Sequence, residues 1–203
     1  MELRDIKLIN QGAHLALYAA DYVLNDGSDK QYEFVSRAGA RANGPGSGSI
    51  LDKNSFPDQK TRGVIIITFN PKHDKILLMR EFRPATGHVI FNHPMGLIDP
   101  GETWTETAER ELKEETGLDV VNIVTVMLPA FSAPGISDQR TVTIIVEADG
   151  DIKPSTDPNE ITEPFWATRD ETMRILASPA NHFSAMTQAT LYAWCFFNRE
   201  SEG

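Results

Sequence analysis

The sequence predicts an α+β fold in which short strands and longer helices share one apolar core. Several apolar runs have strand length and end at turn residues, and GVIIITFN (Gly63 to Asn70) is the clearest of them. A segment that starts near Trp104 has the four-residue apolar spacing of an amphipathic helix. Because strands and helices do not alternate in a strict βαβ order, we expect a mixed-sheet sandwich rather than a doubly wound parallel fold.

The composition indicates one globular domain, with room for a small appended subdomain. The 203 residues are 40% hydrophobic and 24% charged. The net charge of −10 argues against nucleic acid and against a membrane surface as partners, since both are anionic. No apolar run reaches the ~20 residues of a membrane helix, and MELRDIKLINQ lacks the apolar core of a signal peptide. The single cysteine, Cys195, excludes an internal disulfide and is expected to be a buried thiol, which fits a cytoplasmic location.

The N-terminal third predicts a β subdomain. A turn signal at Asn25-Asp26-Gly27 separates two runs and predicts a hairpin whose second strand is YEFVSR, Tyr32 to Arg37. Residues 38–62 are rich in Gly, Ser, Asn and Pro, which is typical of a surface loop or linker. We therefore expect an N-terminal β subdomain with a Gly-rich loop at residues 1–62 and the main domain at residues 63–203.

The main domain continues with further strands and two closing helices. After the first strand at Gly63 we expect strands at KILLMREF, HVIFNHP, VVNIVTVML and TVTIIVEA, and another near Pro164 to Thr168. An acidic loop, Asp149 to Glu160, precedes that last strand. The closing helices are expected at about Asp170 to Ala177 and Pro179 to Asn198.

The sequence of the central helix indicates where the helix begins, which face is buried and where it ends. Thr103 or Thr105 can cap its first turn. Trp104, Ala108 and Leu112 are expected on its buried face. Gly117 suits the left-handed residue that ends many helices. We therefore expect a helix from about residue 104 to residue 116.

Three carboxylates share one face of this helix. At about 100° per residue, Glu111, Glu114 and Glu115 fall within one turn of each other. Like charges at this spacing repel, so packing alone gives no reason to gather them. A hard divalent cation does give a reason, because such cations prefer oxygen ligands. The pattern therefore indicates a divalent metal site.

The stretch GLIDPGETWTETAERELKEETGL resembles the Nudix box at every specified position. Gly96 is followed by five residues, Glu102, seven residues and then Arg110-Glu111-Leu112-Lys113-Glu114-Glu115-Thr116-Gly117-Leu118. The resemblance implies a Nudix α/β/α sandwich and a hydrolase that uses Mg²⁺, with Mn²⁺ as an alternative. It implies Glu111 and Glu115 as metal ligands, supported by Glu114 and the backbone carbonyl of Met95. It also implies that Arg110 orients the glutamates and that Glu102 anchors the preceding loop.

The flanking segments resemble those of ADP-ribose pyrophosphatases. Phe82-Arg83-Pro84 precedes the box, and Pro134 stands sixteen residues past Leu118. The resemblance makes Arg83 and Arg37 candidates for the diphosphate, with ordinary surface arginines as the competing interpretation. It makes Tyr32 a candidate to stack on adenine, with a cross-strand core aromatic as the alternative. It also makes Pro134 a candidate substrate-binding residue, with an ordinary turn as the competing interpretation.

The same resemblance puts the catalytic base in the acidic loop. Glu160 aligns best, with Asp157 and Glu163 as alternatives, so the catalytic group comprises Glu160, Glu114, Arg110 and Glu102. Three positions depart from the family pattern: Asn92 replaces an acid, His93 an apolar residue and Met95 an alanine. His93 is expected to pack or to form hydrogen bonds rather than to bind metal.

The expected activity is hydrolysis of ADP-ribose to AMP and ribose 5-phosphate. Another nucleotide sugar, such as GDP-mannose, is an alternative substrate, and a non-catalytic ADP-ribose sensor is the alternative of a different class. Relatives of this kind are commonly homodimers, so the resemblance implies a homodimer here as well.

Overall fold

A computed structural model describes residues 1–37, 60–153, 155 and 162–197. The chain forms two compact units. The first unit comprises Met1–Gly63, Ile98–Gly101 and Leu128–Val142, and the second comprises Val64–Leu97, Glu102–Met127 and Thr143–Gly203. The expected boundary between residues 62 and 63 stays a prediction.

The first unit is built on an antiparallel sheet of three strands, β1 (Glu2–Gln11), β2 (Ala16–Val23) and β3 (Asp29–Ser36). The predicted hairpin is confirmed: β2 and β3 pair in register on either side of a turn in which Gly27 has a φ of 84°. Tyr18 and Phe34 lie opposite each other with their rings stacked. Together with Ile6, Ala16 and Ala20 they form the core of this sheet.

A larger sheet contains the other eight strands of the described residues. They are β4 (Thr61–Phe69), β5 (Lys75–Arg83), β6 (His88–Asn92), β7 (Met95–Leu97), β8 (Asp119–Val126), β9 (Ala130–Phe131), β10 (Arg140–Asp149) and β11 (Thr162–Thr168). The main order is β11-β5-β4-β10-β8, while β6 pairs with β5, β7 with β4 and β9 with β10. With the three helices described below, this architecture confirms the α+β class.

Helix α1 (Trp104–Thr116) carries the glutamates, and its sequence signals determine both of its ends. Thr103 is the N-cap, and it forms a reciprocal capping box with Glu106. Gly117 ends the helix in the left-handed conformation, with a φ of 77°, which residues with a Cβ atom rarely adopt. Ala108 and Leu112 are buried as predicted. The prediction for Trp104 is wrong: it is 37% exposed, because it is the first helical residue and burial begins only at Thr107.

Two further helices follow β11: α2 (Arg169–Ala177) and α3 (Ala185–Phe197). Helix α3 begins six residues later than expected. Phe183 bridges to Phe91 of β6, and the Phe91 amide donates to the carbonyl of His182, so this stretch pairs with a strand instead. Cys195 is buried among apolar residues, as predicted. Among the described residues, none of the helices is both long and apolar enough to span a membrane.

Candidate active site on helix α1

Strand β7 and helix α1 bring two carboxylates to one short piece of backbone. A Cβ atom built on Gly96 would overlap the carboxylate of Glu111, so only glycine leaves room for this side chain. The neighbouring Met95 amide donates to Oε2 of Glu115 over 3.2 Å. Glu115 is only 6% exposed. Glu111 and Glu115 share the helix face that the sequence predicts for metal ligands, and they meet consecutive residues of β7.

Arg110 connects the carboxylates to each other and to the loop that precedes the helix. Its Nε and Nη2 atoms donate to the two carboxylate oxygens of Glu102 over 2.7 and 2.9 Å. Its Nη1 atom donates to Glu111 over 2.9 Å and to Glu114 over 3.1 Å. Nη2 also donates to the carbonyl of Leu97 over 3.1 Å. Since a guanidinium has five N–H donors, these contacts engage all of them within the protein.

The carboxylates around Arg110 favour its charged form. Hydrogen bonds to Glu102 are the main reason why the pKa of Arg110 is raised above its usual range, and those to Glu111 and Glu114 add to the effect. Glu114 is the most exposed of the cluster, at 59% of its side chain. The contacts are those that an orienting Arg110 and an anchoring Glu102 require, and the roles themselves stay predictions.

The donor chemistry of this cluster fits a hard divalent cation. The side-chain atoms that could bind a metal here are carboxylate oxygens. Because Gly96 has no Cβ atom, one of these carboxylates reaches the backbone of β7. Within the part of the chain that the structure describes, no group of three or more Asp, Glu, His or Cys side chains is arranged to hold a metal ion by itself. Glu111 and Glu115 would therefore hold the cation with help from Glu114, the Met95 carbonyl or water.

Arg83 lies in the second unit, at the end of β5. Its Nη2 atom is 2.9 Å from Glu81 Oε1 and 3.2 Å from the sulfur of Met95. The structure thus brings Arg83 together with Met95, another predicted site residue. Arg83 keeps 38% of its side chain exposed, so its guanidinium is accessible to an anionic ligand.

The first unit has an aromatic pocket of about 250 Å³ that contains two other predicted residues, Tyr32 and Pro134. The Tyr32 hydroxyl donates to the carbonyl of Gly135, and the amide of Val35 donates to the carbonyl of Ile136 over 2.9 Å. These bonds attach the loop after β9 to strand β3. The other residues that line the pocket are Ala20, Tyr22, Phe34, Phe131, Ser137 and Asp138.

The remaining predicted residues are less constrained. Arg37 is half-buried, and its Nε atom meets no hydrogen-bond partner among the described residues. Glu163 pairs with Arg80 over 2.7 Å and keeps 68% of its side chain exposed. Glu160 and Asp157 lie outside the described residues.

His93 packs as the sequence predicts, between β6 and β7. It is fully buried, and among the described residues neither ring nitrogen meets a hydrogen-bond partner with good geometry. Burial lowers the pKa of His93 to about 4, and only a weak contribution from the Leu77 backbone opposes this.

Sequence reasoning missed two groups of residues. Phe131 and Asp138 line the pocket, and only their closeness to Pro134 in sequence could have suggested them. Glu81 contacts Arg83, and its position two residues earlier on the same strand places both on one face, which was an available signal.

Comparison with known proteins identifies the family. The NUDIX domain model matches residues 59–189. The putative nudix hydrolase 2 of Caenorhabditis elegans is 33% identical over 152 residues, which cover 71% of this chain and 68% of that protein. The ADP-ribose pyrophosphatase of Saccharomyces cerevisiae is 29% identical over 171 residues, which cover 81% of this chain and 68% of that protein.

A solved structure described as an ADP compounds hydrolase shares the fold. Its TM-score is 0.68 at 20% identity, and the match covers 95% of this chain and 90% of that one. The Nudix-box spacing, the site on α1 and the matched domain agree, and the chain therefore belongs to the Nudix hydrolase family, as an enzyme similar to the ADP-ribose pyrophosphatases.

Proposed function

We propose that this enzyme hydrolyses the diphosphate bond of ADP-ribose, in the presence of Mg²⁺, to AMP and ribose 5-phosphate. The observation that carries the proposal is the placement of Glu111 and Glu115 against Met95 and Gly96, with Arg110 holding the cluster together. The similarity to an ADP-ribose pyrophosphatase supports the choice of substrate.

Some residues of the site would bind the cation or the diphosphate, and others would orient the binding residues. Glu111 and Glu115 would hold a divalent cation. When bound, this cation would neutralise phosphoryl oxygens and lower the pKa of a bound water. Arg110 orients these carboxylates, since its donors are already engaged with protein oxygens. Arg83 binds the diphosphate, because a guanidinium fork suits phosphate oxygens.

The aromatic pocket of the first unit supports a nucleoside as part of the substrate. Tyr22, Tyr32, Phe34 and Phe131 offer ring surfaces for a base. Asp138 gives the pocket an acceptor for hydroxyl or amino groups, and its negative charge disfavours a phosphate there. The pocket therefore suits the neutral part of a nucleotide.

A substrate panel tests the proposal. ADP-ribose, GDP-mannose, NADH and diadenosine diphosphate are each incubated with Mg²⁺, and a coupled phosphatase releases phosphate from any monophosphate product. The proposal expects the highest kcat/KM for ADP-ribose. A higher kcat/KM for GDP-mannose would select the alternative substrate, while binding of ADP-ribose without any hydrolysis would select a sensor.

We keep Glu160 as the proposed general base. Glu160→Gln should lower kcat by roughly 10²-fold, because proton abstraction from water is typically worth that much. Glu163→Gln, which removes the exposed carboxylate that pairs with Arg80, tests one of the two alternative bases in the same assay. If Glu160→Gln keeps the wild-type kcat, the role passes to Asp157 or Glu163.

Two proposals concern the context of the enzyme. We propose a homodimer, which light scattering after size exclusion would test by giving twice the chain mass of 22.6 kDa. A mass of one chain at micromolar concentration would contradict it. A cytoplasmic location is likewise proposed, and fractionation of tagged cells would test it.

A further inference from the structure

The β5–β6 hairpin arranges three polar side chains on one face. Arg83 pairs with His88, Glu81 with Ile90, and Met79 with Asn92. Because side chains alternate along a strand, Glu81 and Arg83 point to the same side, and Asn92 is diagonal to Glu81 across the pair. The hairpin itself therefore brings an acid, an amide and an arginine within reach of each other.

Glu81 binds both of its neighbours, one with each carboxylate oxygen. Oε1 forms an ion pair with Arg83 Nη2 over 2.9 Å, and Oε2 accepts a hydrogen bond from Asn92 Nδ2 over 3.1 Å. Only 13% of the Glu81 side chain is exposed, whereas Arg83 keeps 38%. The buried end of this ion pair is thus the acid, and the guanidinium remains the part that solvent or a ligand can reach.

Asn92 connects the hairpin to the start of helix α3. Its Oδ1 atom accepts from the hydroxyls of Ser184 and Thr187, each over 3.0 Å. Asn92 and Thr187 are 2% and 1% exposed. These bonds determine the orientation of the amide, so its Nδ2 atom faces Glu81.

Arg83 and Asn92 both lie close to Met95, the residue whose amide binds Glu115. Arg83 Nη2 lies 3.2 Å from the sulfur of Met95, and Asn92 Nδ2 lies 3.8 Å from the same atom. The amide of Met95 donates to Glu115. Arg83 is therefore held one residue away from a carboxylate of the candidate metal site.

We propose that Glu81 and Asn92 are positioning residues that hold Arg83 beside Met95 in the orientation that binds the diphosphate. This rests on the proposed function of Arg83. Neither residue touches the substrate; both act through the guanidinium. A neutral amide at position 92 suits this role, because an acid there would repel Glu81 and could not donate to it.

A double-mutant cycle on Glu81 and Arg83 tests the proposal. The variants Glu81→Gln, Arg83→Ala and the combination are compared with the wild type for Kd of α,β-methylene-ADP-ribose by calorimetry. KM and kcat for ADP-ribose are measured in parallel. We expect Glu81→Gln to raise Kd and KM about tenfold and to change kcat less than threefold. In the Arg83→Ala background the same change should add less than twofold to Kd.

Two further variants separate positioning from general structure. Glu81→Gln with Asn92→Asp moves the charge from one partner to the other and restores the hydrogen bond, so it should recover at least a third of the lost affinity. Asp119→Asn breaks an exposed ion pair with Lys113 and should leave Kd unchanged.

The binding measurements need no turnover, so the two proposals fail separately. If the wild type binds the analogue but does not hydrolyse ADP-ribose, the proposed reaction is wrong. The double-mutant cycle on Kd can still be interpreted in that case. Equal effects of Glu81→Gln in both backgrounds, an unchanged Kd, or a wild type that does not bind the analogue would each overturn the positioning role.

Discussion

At position 96 a side chain would fit only if the Glu111 carboxylate moved from the place that it occupies. A Cβ atom at this position would come within 1.8 Å of the Glu111 carboxylate carbon, so the backbone of Gly96 lies directly against that side chain. The need for glycine is thus steric, since a Cβ there would displace a carboxylate. Which side chain takes that space depends on tertiary packing of β7 against α1, and the sequence could not specify it.

Gly96→Ala should therefore damage the site more than the fold. The added methyl group displaces the Glu111 carboxylate, and we expect kcat/KM to fall by at least roughly 10²-fold. Overpacking of this size typically costs about 1–3 kcal/mol of stability, so the variant should remain folded. Steady-state kinetics with circular dichroism at the same temperature measure both effects. A folded Gly96→Ala enzyme with wild-type kcat/KM would contradict the steric account.

His93 is the residue whose burial has a direct consequence for pH dependence. Its pKa is about 4 in the folded chain against 6.5 for an exposed histidine. Between these values the unfolded chain binds a proton that the folded chain does not, so stability falls as pH falls from 6.5 towards 4. The shift corresponds to about 3 kcal/mol over this window.

His93→Leu should remove this part of the pH dependence. Leucine stays uncharged in both states, so the unfolding free energy of the variant should fall less than that of the wild type between pH 7 and pH 4. Urea titrations at several pH values measure the difference, and carboxylates common to both proteins cancel in it. Parallel pH profiles for the two proteins would show that His93 is not buried in its neutral form.

Among the elements, helix α1 follows its sequence most closely. The Thr103-x-x-Glu106 pattern and Gly117 place its ends because caps depend on local contacts alone. Trp104 and the start of α3 depart from expectation for a different reason. Covering neighbours decide the exposure of Trp104, and pairing of Phe183 with Phe91 takes residues that could have extended α3. Such contacts are not readable from periodicity.

Removing the cap should weaken the helix without disabling the site. Thr103→Ala loses the side-chain acceptor for the Glu106 amide, and we expect the unfolding free energy to fall by about 1 kcal/mol. Thr105→Ala is the control, because the structure makes Thr103 rather than Thr105 the cap. Chemical denaturation of both variants measures the change. Equal losses in the two variants would contradict the assignment of the cap.

For the whole molecule, the sequence predicted the fold class and the chemistry of α1 but not the contacts between distant residues. Tyr32 meets Gly135, 103 positions away, and Asn92 meets Ser184, 92 positions away. Strand β1 was also missed, because ELRDIKLINQ is largely polar and only Ile6 is buried. The Nudix-box residues could be predicted since their spacing on one helix determines which of them share a face.

We propose that the glutamates of α1 hold a divalent cation that diphosphate hydrolysis requires. Mn²⁺ binding by electron paramagnetic resonance, with ADP-ribose hydrolysis over the same Mn²⁺ range, tests it directly in wild type, Glu115→Gln and Glu109→Gln. Glu109 is the matched control, an exposed glutamate of the same helix.

We expect Glu115→Gln to stay folded, to bind Mn²⁺ at least tenfold more weakly and to lose turnover, while Glu109→Gln behaves like the wild type. Wild-type Mn²⁺ affinity and turnover in Glu115→Gln would contradict the proposal.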